Sequence, residues 1–278
     1  MQSFSSIAKR FGVSVTSIIR WFDNLNYPHP KLPECIAIDE LRGNAGGEKF
    51  QCNIADPVKH QVIDILPSRN TENLCKHFLE YPYKERAAVK KIVMDLSTLF
   101  RSVAKSMFPE AKIVADKFHV IRAVINSLEN VRKRIQKEFH ATKRKWFKRS
   151  RYLLLKPEYK LTSEDKTELA RMLNSSYDLE KAYVLKERFY EVFRKQTRTE
   201  AKKELGKWLL LAADLSLPEF RHCITTFSNW KTEIANIIGE RVSNGFIEGS
   251  NNKIKVLKRI SYGVQNFDRF RNRILYLQ

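Results

Sequence analysis

No run of about 18 consecutive apolar residues occurs in this chain, so no membrane-spanning helix is expected. The opening Met1-Gln2-Ser3-Phe4 is followed by no apolar core and is not expected to begin a signal peptide. The four cysteines, Cys35, Cys52, Cys75 and Cys223, include no C-x-x-C spacing, which argues against a zinc ribbon within the chain. Scattered singly, they read as reduced, mostly buried residues of a cytoplasmic protein. Acidic residues are few beside basic ones: 31 Asp and Glu against 51 Lys and Arg, a net charge of +20. Such an excess repels itself in a compact state unless a polyanion lies nearby. Nucleic acid is the expected partner. An anionic membrane surface, or a role in a ribosomal or chromatin-like scaffold, is the rival. With 278 residues, 43% of them hydrophobic, the chain has room for two domains plus a small appendage.

The N-terminus reads as two short helices around a turn over residues 3–22. Ala8 permits a close crossing, Gly12 suits a left-handed turn position, and Ser14 is a good N-cap for the second helix. Val15, Ile18 and Ile19 form that helix's expected inner face. This is a helix-turn-helix pattern lacking its first helix, with an ordinary helical hairpin as the alternative. Thr16, Ser17 and Arg20 would face outward toward DNA, and Ile7, Ile18 and Trp21 should be partly exposed. Tyr-Pro-His-Pro-Lys-Leu-Pro at 27–33 cannot be helical and forms a linker. Strand signals follow at 35–38, 48–54 and 61–66, punctuated by Asp56-Pro57 and Pro67-Ser68. A helix at about 71–80, a strand at 90–95, a helix at about 97–107 and a strand at 111–115 complete a β-β-β-α-β-α-β order.

From about 118 to 235 no strand is convincing, and Lys, Arg, Glu and Leu recur at helical spacing. Lys143, Arg144, Lys145, Trp146, Phe147, Lys148, Arg149, Arg151 and Tyr152 make a basic run with interleaved aromatics. It is either a solvated helix face or a nucleic-acid contact. A last helix is capped by Ser243 or Asn244. On it Asn244, Glu248, Asn251 and Lys255 form one polar stripe at i, i+4, i+7 and i+11, and Ile247, Ile254 and Leu257 an apolar face. Lys258 and Arg259 extend it with positive charge.

Three acidic motifs carry the chemistry: Ile38-Asp39-Glu40, Met94-Asp95-Leu96 and Ile247-Glu248-Gly249. Each Asp closes a β-like apolar run, where a carboxylate is costly unless neutralised. Two Mg²⁺ or Mn²⁺ ions would do so, since both prefer oxygen ligands, and a pair of ions clamps an in-line displacement at phosphorus. Asp39, on the central first strand, would bridge the ions. Asp95, on the adjacent fourth strand, would share one, and Glu248 would complete the other. Taken singly, an Asp at a strand end is more often a cap or an ion-pair partner than a metal ligand; the three in this order on a strongly basic chain reverse that.

At these residues the sequence resembles the bacterial insertion-sequence DDE transposases of the ISL3 family. The matching stretches are Ile38-Asp39-Glu40, Val93-Met94-Asp95-Leu96-Ser97, Phe108-Pro109-Glu110-Ala111 with Asp116-Lys117-Phe118-His119-Val120, and the block from Ser243 to Leu275. That block holds Asn244, Glu248-Gly249, Asn251-Asn252-Lys253-Ile254-Lys255, Lys258-Arg259, Tyr262-Gly263 and Asn266-Phe267. The resemblance implies an α/β, RNase H-like core with a mixed five-stranded sheet, a large all-helical insertion and a short N-terminal helix-turn-helix. It implies that Asp39, Asp95 and Glu248 are the catalytic and metal-binding triad. Asp116 and His119 match a D-x-x-H motif, in which the His either donates to the scissile phosphate or caps a helix. With Asn244, Asn251 and Lys255 they are the accessory candidates. Such proteins carry a zinc ribbon and a complete helix-turn-helix ahead of the core, so the resemblance implies an N-terminally truncated copy.

The expected organisation is a partial helix-turn-helix at 1–26, a linker at 27–34, a catalytic domain at 35–119 and 238–278, and a helical insertion at 120–237. The expected function is metal-dependent DNA cleavage and strand transfer at the ends of an insertion sequence. The partners would be double-stranded DNA, as terminal inverted repeats and target, and further copies of the chain in a synaptic complex, with no membrane involved. The location would be cytoplasmic and nucleoid-associated. The alternatives are a non-catalytic helix-turn-helix regulator and an RNase H-like structure-specific nuclease.

Overall fold

A serine caps each of the first two helices. Ser3 accepts from the Ser6 amide ahead of α1 (Phe4–Phe11), and Ser14 from the Ser17 amide ahead of α2 (Val15–Asp23). Gly12 ends α1 at φ 63°, a left-handed position that suits glycine. This chain is described by a computed structural model over residues 2–240, 245–261 and 264–277. It forms two compact units, Met1–Val114 with Arg241–Gln278, and Ala115–Glu240.

The first unit is built on a sheet. β1 (Cys35–Leu41), β2 (Gln51–Asp56) and β3 (Gln61–Leu66) form an antiparallel meander. Asp56 closes the second turn, its Oδ1 accepting from the Val58 and Lys59 amides at 2.9 and 3.0 Å. After α3 (Thr71–Leu79), capped by Asn70, and the short α4 (Tyr83–Ala88), β4 (Lys91–Met94) returns parallel to β1. α5 (Thr98–Met107), capped by Ser97, leads to β5 (Lys112–Ala115). The order is β3-β2-β1-β4-β5, a mixed five-stranded sheet with β1 at its centre. β1 runs three residues beyond the apolar stretch at 35–38, so Asp39 lies inside a strand rather than at its end. α4 had no signal in the sequence.

From Asp116 to Glu240 the backbone is helical, with turns and no strand. The α-helices are α6 (Lys117–Ile135), α7 (Ala141–Arg149), α8 (Arg151–Leu155), α9 (Ser163–Leu173), α10 (Tyr177–Tyr190), α11 (Arg198–Asp214), α12 (Arg221–Asn229) and α13 (Lys231–Ala235). Phe189 stacks on Phe227 and meets Trp208 edge-on, with ring centroids 5.3 and 5.0 Å apart. The Trp208 indole donates to the Leu185 carbonyl at 2.8 Å, so its buried N–H is satisfied. Glu129, buried on α6, receives Nε and Nη2 of Arg132 at 2.9 and 2.7 Å.

α14 (Gly245–Ile260) and α15 (Phe267–Tyr276) bring the chain back to the first unit. Ile254 and Leu257 of α14 and Phe270 and Ile274 of α15 share one core with Leu41, Val62 and Ile65. α15 also supports the helix pair at the N-terminus. Phe22 contacts Phe4 and Tyr276, Arg273 lies over the Phe4 ring, and Arg269 grips Asp23 with two bonds of 2.8 and 2.6 Å.

This support changes two expectations. Ile18 is 9% exposed and counts as buried, because neighbouring side chains of the unit supply the cover that a lone helix pair lacks. Val15, expected inside, is 40% exposed: it lies on the first turn of α2, and Ile18 takes the inward position. Trp21 is 60% exposed, as expected.

Candidate active site

The site is assembled by the register of β1. Ala37, Asp39 and Leu41 alternate onto one face, opposite Ala55, Asn53 and Gln51 of β2. α14 lies along this face. Ile247 packs on the small pair Ala37 and Ala55, Ile254 shares a cluster with Leu41, and Asn251 falls between them over Asp39. Asn251 Nδ2 donates to Asp39 Oδ2 at 2.8 Å, and Asn53 Nδ2 donates to Asn251 Oδ1 at 2.8 Å. The Glu40 amide donates to Asp39 Oδ1 at 2.8 Å. Both oxygens of Asp39 are thereby oriented, yet an ionised carboxylate has about four acceptor positions and keeps room for further ligands.

Asp95 follows from the parallel pairing. Ile38 pairs with Met94, so Asp39 and Asp95 are the next residues along neighbouring strand paths. Their charges meet at Cys52, whose buried thiol is pushed well above its ordinary value by burial first, then by Asp39, Asp95 and Asp64. Glu248 adjoins Ile247 and precedes Asn251 by one turn of α14, partly exposed. Asp39 lies under the helix that carries Glu248, and Asp95 follows the neighbouring strand; carboxylate oxygens are the hard donors that a divalent cation such as Mg²⁺ prefers.

A family profile described as "Transposase", of the DDE type and the ISL3 class, matches residues 36–274. The chain belongs to this transposase family. The transposase for insertion sequence element IS1001 of Bordetella parapertussis is 26% identical over 241 residues, covering 85% of this chain and 59% of that protein. The transposase for insertion sequence element IS1557 of Mycobacterium tuberculosis is 27% identical over 254 residues, covering 83% of this chain and 57% of that protein. The chain thus spans under three-fifths of the length of these relatives. A Lactococcus lactis protein named "ATP-dependent protease" matches 34% of the chain at 35% identity, too short a stretch to bear on the whole.

Within this ISL3 chain the other predicted residues divide. Asp116, buried at the start of α6, caps it by accepting from the Phe118 amide at 3.3 Å and holds Nδ1 of His119 at 2.6 Å. The capping role is therefore the aspartate's, and the histidine is the group it orients. Asn244, with the alternative cap Ser243, lies outside the described residues, as do Tyr262 and Gly263. Lys255 is exposed and donates to Asn252 Oδ1 at 3.4 Å. Burial and the neighbouring Arg42 hold the Lys258 ammonium below its ordinary value, while Arg259 is exposed.

On α2, Thr16 and Arg20 face outward, whereas Ser17 is half-buried and bonded to the Ser14 hydroxyl at 2.9 Å. In the basic run Arg144, Lys145 and Arg149 are exposed. Lys143 lies over the Phe139 ring, Arg151 pairs with Glu129 at 3.1 Å, and Trp146 donates its indole N–H to Glu168. That bond occupies the one donor Trp146 has. Sequence reasoning missed Asn53. Its signal was a lone amide between Cys52 and Ile54 in a strand that buries every residue, where a polar side chain requires a partner. No described helix is long and apolar enough to cross a membrane.

Proposed function

We propose that this chain is the catalytic portion of a DDE transposase that cuts DNA at the ends of an insertion sequence and transfers the freed strand to a target duplex. Asp39, Asp95 and Glu248 would hold two divalent ions, Mg²⁺ or Mn²⁺. The observation that carries the reading is the 2.8 Å bond from Asn251 to Asp39, which ties the helix bearing Glu248 to the strand bearing the first aspartate. When bound, the ions supply an activated water or 3′-hydroxyl and neutralise the leaving oxygen. The protein's own part is positioning. Asn251 and the Glu40 amide fix the two oxygens of Asp39, Ile247 seats the helix, and Asp95 brings a second charge alongside.

Residues 35–119 with 238–278 would form the catalytic domain and 120–237 a helical insertion, with residues 1–26 as a DNA-binding appendage. The partners would be terminal inverted repeats, a target duplex and further copies of the chain in a synaptic complex. The net charge of +20 and the exposed Arg20, Arg144, Lys145, Arg149 and Arg259 support DNA as the ligand.

The test is Asp95→Asn, which removes a charge at nearly constant volume. It should abolish Mg²⁺-dependent nicking while DNA binding stays close to wild type; retained cleavage would refute the assignment. Transfer of a labelled 3′ end into a second duplex separates a transposase from a nuclease of the same core.

A further inference from the structure

The linker ahead of β1 carries His29 between Pro28 and Pro30. Its ring lies 5.3 Å, centroid to centroid, from that of His77, three residues before Glu80 at the end of α3. One donor atom from each of His29, His77 and Glu80 lies within 4.8 Å of the other two. His29 Nε2 is 3.1 Å from Glu80 Oε2. Asp64, buried on β3, turns its Oδ2 toward Nδ1 of both rings, at 3.7 Å from His29 and 3.9 Å from His77. Its charge is already matched by Arg271, whose Nε and Nη2 reach its two oxygens at 2.5 and 3.1 Å. His77 is only 6% exposed, and its Nε2 has no hydrogen-bond partner among the described residues.

From this geometry we propose that His29, His77 and Glu80 form a zinc site that clips the linker to α3, with the Asp64 carboxylate close by both imidazoles. A negative carboxylate nearer Nδ1 electrostatically favours the tautomer with the proton on that nitrogen, leaving the Nε2 lone pair for a metal. Two imidazoles and a carboxylate suit Zn²⁺, whereas Mg²⁺ favours oxygen alone. A cleft of roughly 580 Å³ opens beside the cluster, so water can supply the fourth ligand. A bare His29–Glu80 ion pair would leave the buried His77 Nε2 unaccounted for. The proposal does not depend on the DNA chemistry, because none of its residues belongs to the carboxylate set around Asp39.

The experiment uses the whole 278-residue chain carrying Asp95→Asn, which weakens any metal held through Asp95, dialysed against chelator and titrated with Zn²⁺ by calorimetry. A single equivalent should bind with micromolar or tighter affinity and raise the melting temperature. Co²⁺ in its place should give a visible d–d band without a thiolate charge-transfer band, which excludes the cysteines. His29→Ala and Glu80→Gln alter exposed positions and should preserve the fold. Each should weaken Zn²⁺ binding by about 10-fold or more. No binding below about 100 μM, or binding that both variants leave unchanged, would overturn the site.

Discussion

Asn251 and Asp39 lie 212 residues apart and are joined by a 2.8 Å hydrogen bond. A carboxylate only accepts, so the nitrogen of the amide faces Asp39 and its oxygen is left for Asn53, which donates to it. The direction of every bond in the chain Asn53–Asn251–Asp39 follows from that one constraint. The orientation of Asp39 consequently depends on the seating of α14.

Asn251→Ala should therefore act on both stability and metal use. It strips a buried carboxylate of a donor and leaves the Asn53 amide unpartnered, a loss of about 1–3 kcal/mol in urea unfolding. Nicking should need more Mg²⁺ for half-maximal rate. Asn251→Asp, which sets a second charge against Asp39, should be worse at neutral pH. Wild-type Mg²⁺ dependence in Asn251→Ala would remove the amide from catalysis.

Ala37 and Ala55 give Ile247, the residue before Glu248, its seat on the sheet. Enlarging the first of them by Ala37→Leu forces Ile247 outward and tilts the next residue away from the aspartates. Overpacking of this kind costs roughly 1–3 kcal/mol. Nicking should fall further than stability alone explains, while DNA binding in a filter assay is retained. A variant that is destabilised but nicks at the wild-type rate would show that the seating of Ile247 does not govern Glu248.

Arg269→Ala should loosen the N-terminal helices without disturbing the sheet. It removes the two bonds to Asp23. The expected result is faster limited proteolysis within residues 2–34 and an unchanged pattern beyond them. Equal protection in both proteins would mean that the contacts of Phe4, Phe22 and Tyr276 suffice.

Acid should weaken the helical unit through Glu129. Burial pushes its carboxyl up, but the Arg132 hydrogen bonds and the charges of Arg132, Arg151 and Lys133 outweigh that and leave it below the ordinary 4.5. A folded value below the unfolded one stabilises the native state fully above pH 4.5 and loses that contribution as pH falls through the folded value. The urea midpoint of the wild type should drop in that window. Glu129→Gln should be about 3–5 kcal/mol less stable at neutral pH and show a flatter acid limb. Parallel pH profiles for the two proteins would assign the acid limb to other carboxylates.

Much of this was legible in the residues themselves. The strands announced themselves as short apolar runs bounded by Asp56-Pro57 and Pro67-Ser68, and Asp39 and Asp95 by following such runs directly. What escaped depends on long-range register. Asn53 finds its partner 198 residues away, and nothing local marks that pairing. Lys255 was grouped with Asn251 because both lie on one stripe. At about 100° per residue such a stripe is an arc, and the sheet covers only its Asn251 side. The support that α15 gives to Ile18 escaped for the same reason, since a helix pair read alone has no third wall.

The two aspartates and the helix that covers them have a consequence for synthesis. Both aspartates leave the ribosome before the helical unit is made, while Glu248, Asn251 and the Leu257, Phe270 and Ile274 side chains emerge only after it. At about 5–20 residues per second, the nascent sheet spends about 10–40 seconds with Leu41, Val62 and Ile65 uncovered and Asp39 without its amide. A polypeptide that stops before α14 would leave that apolar face of the sheet open and prone to aggregation. The strand that holds Asp39 and the helix that supplies its amide partner are thus made on either side of the whole helical unit, and the sheet must keep its register until α14 arrives.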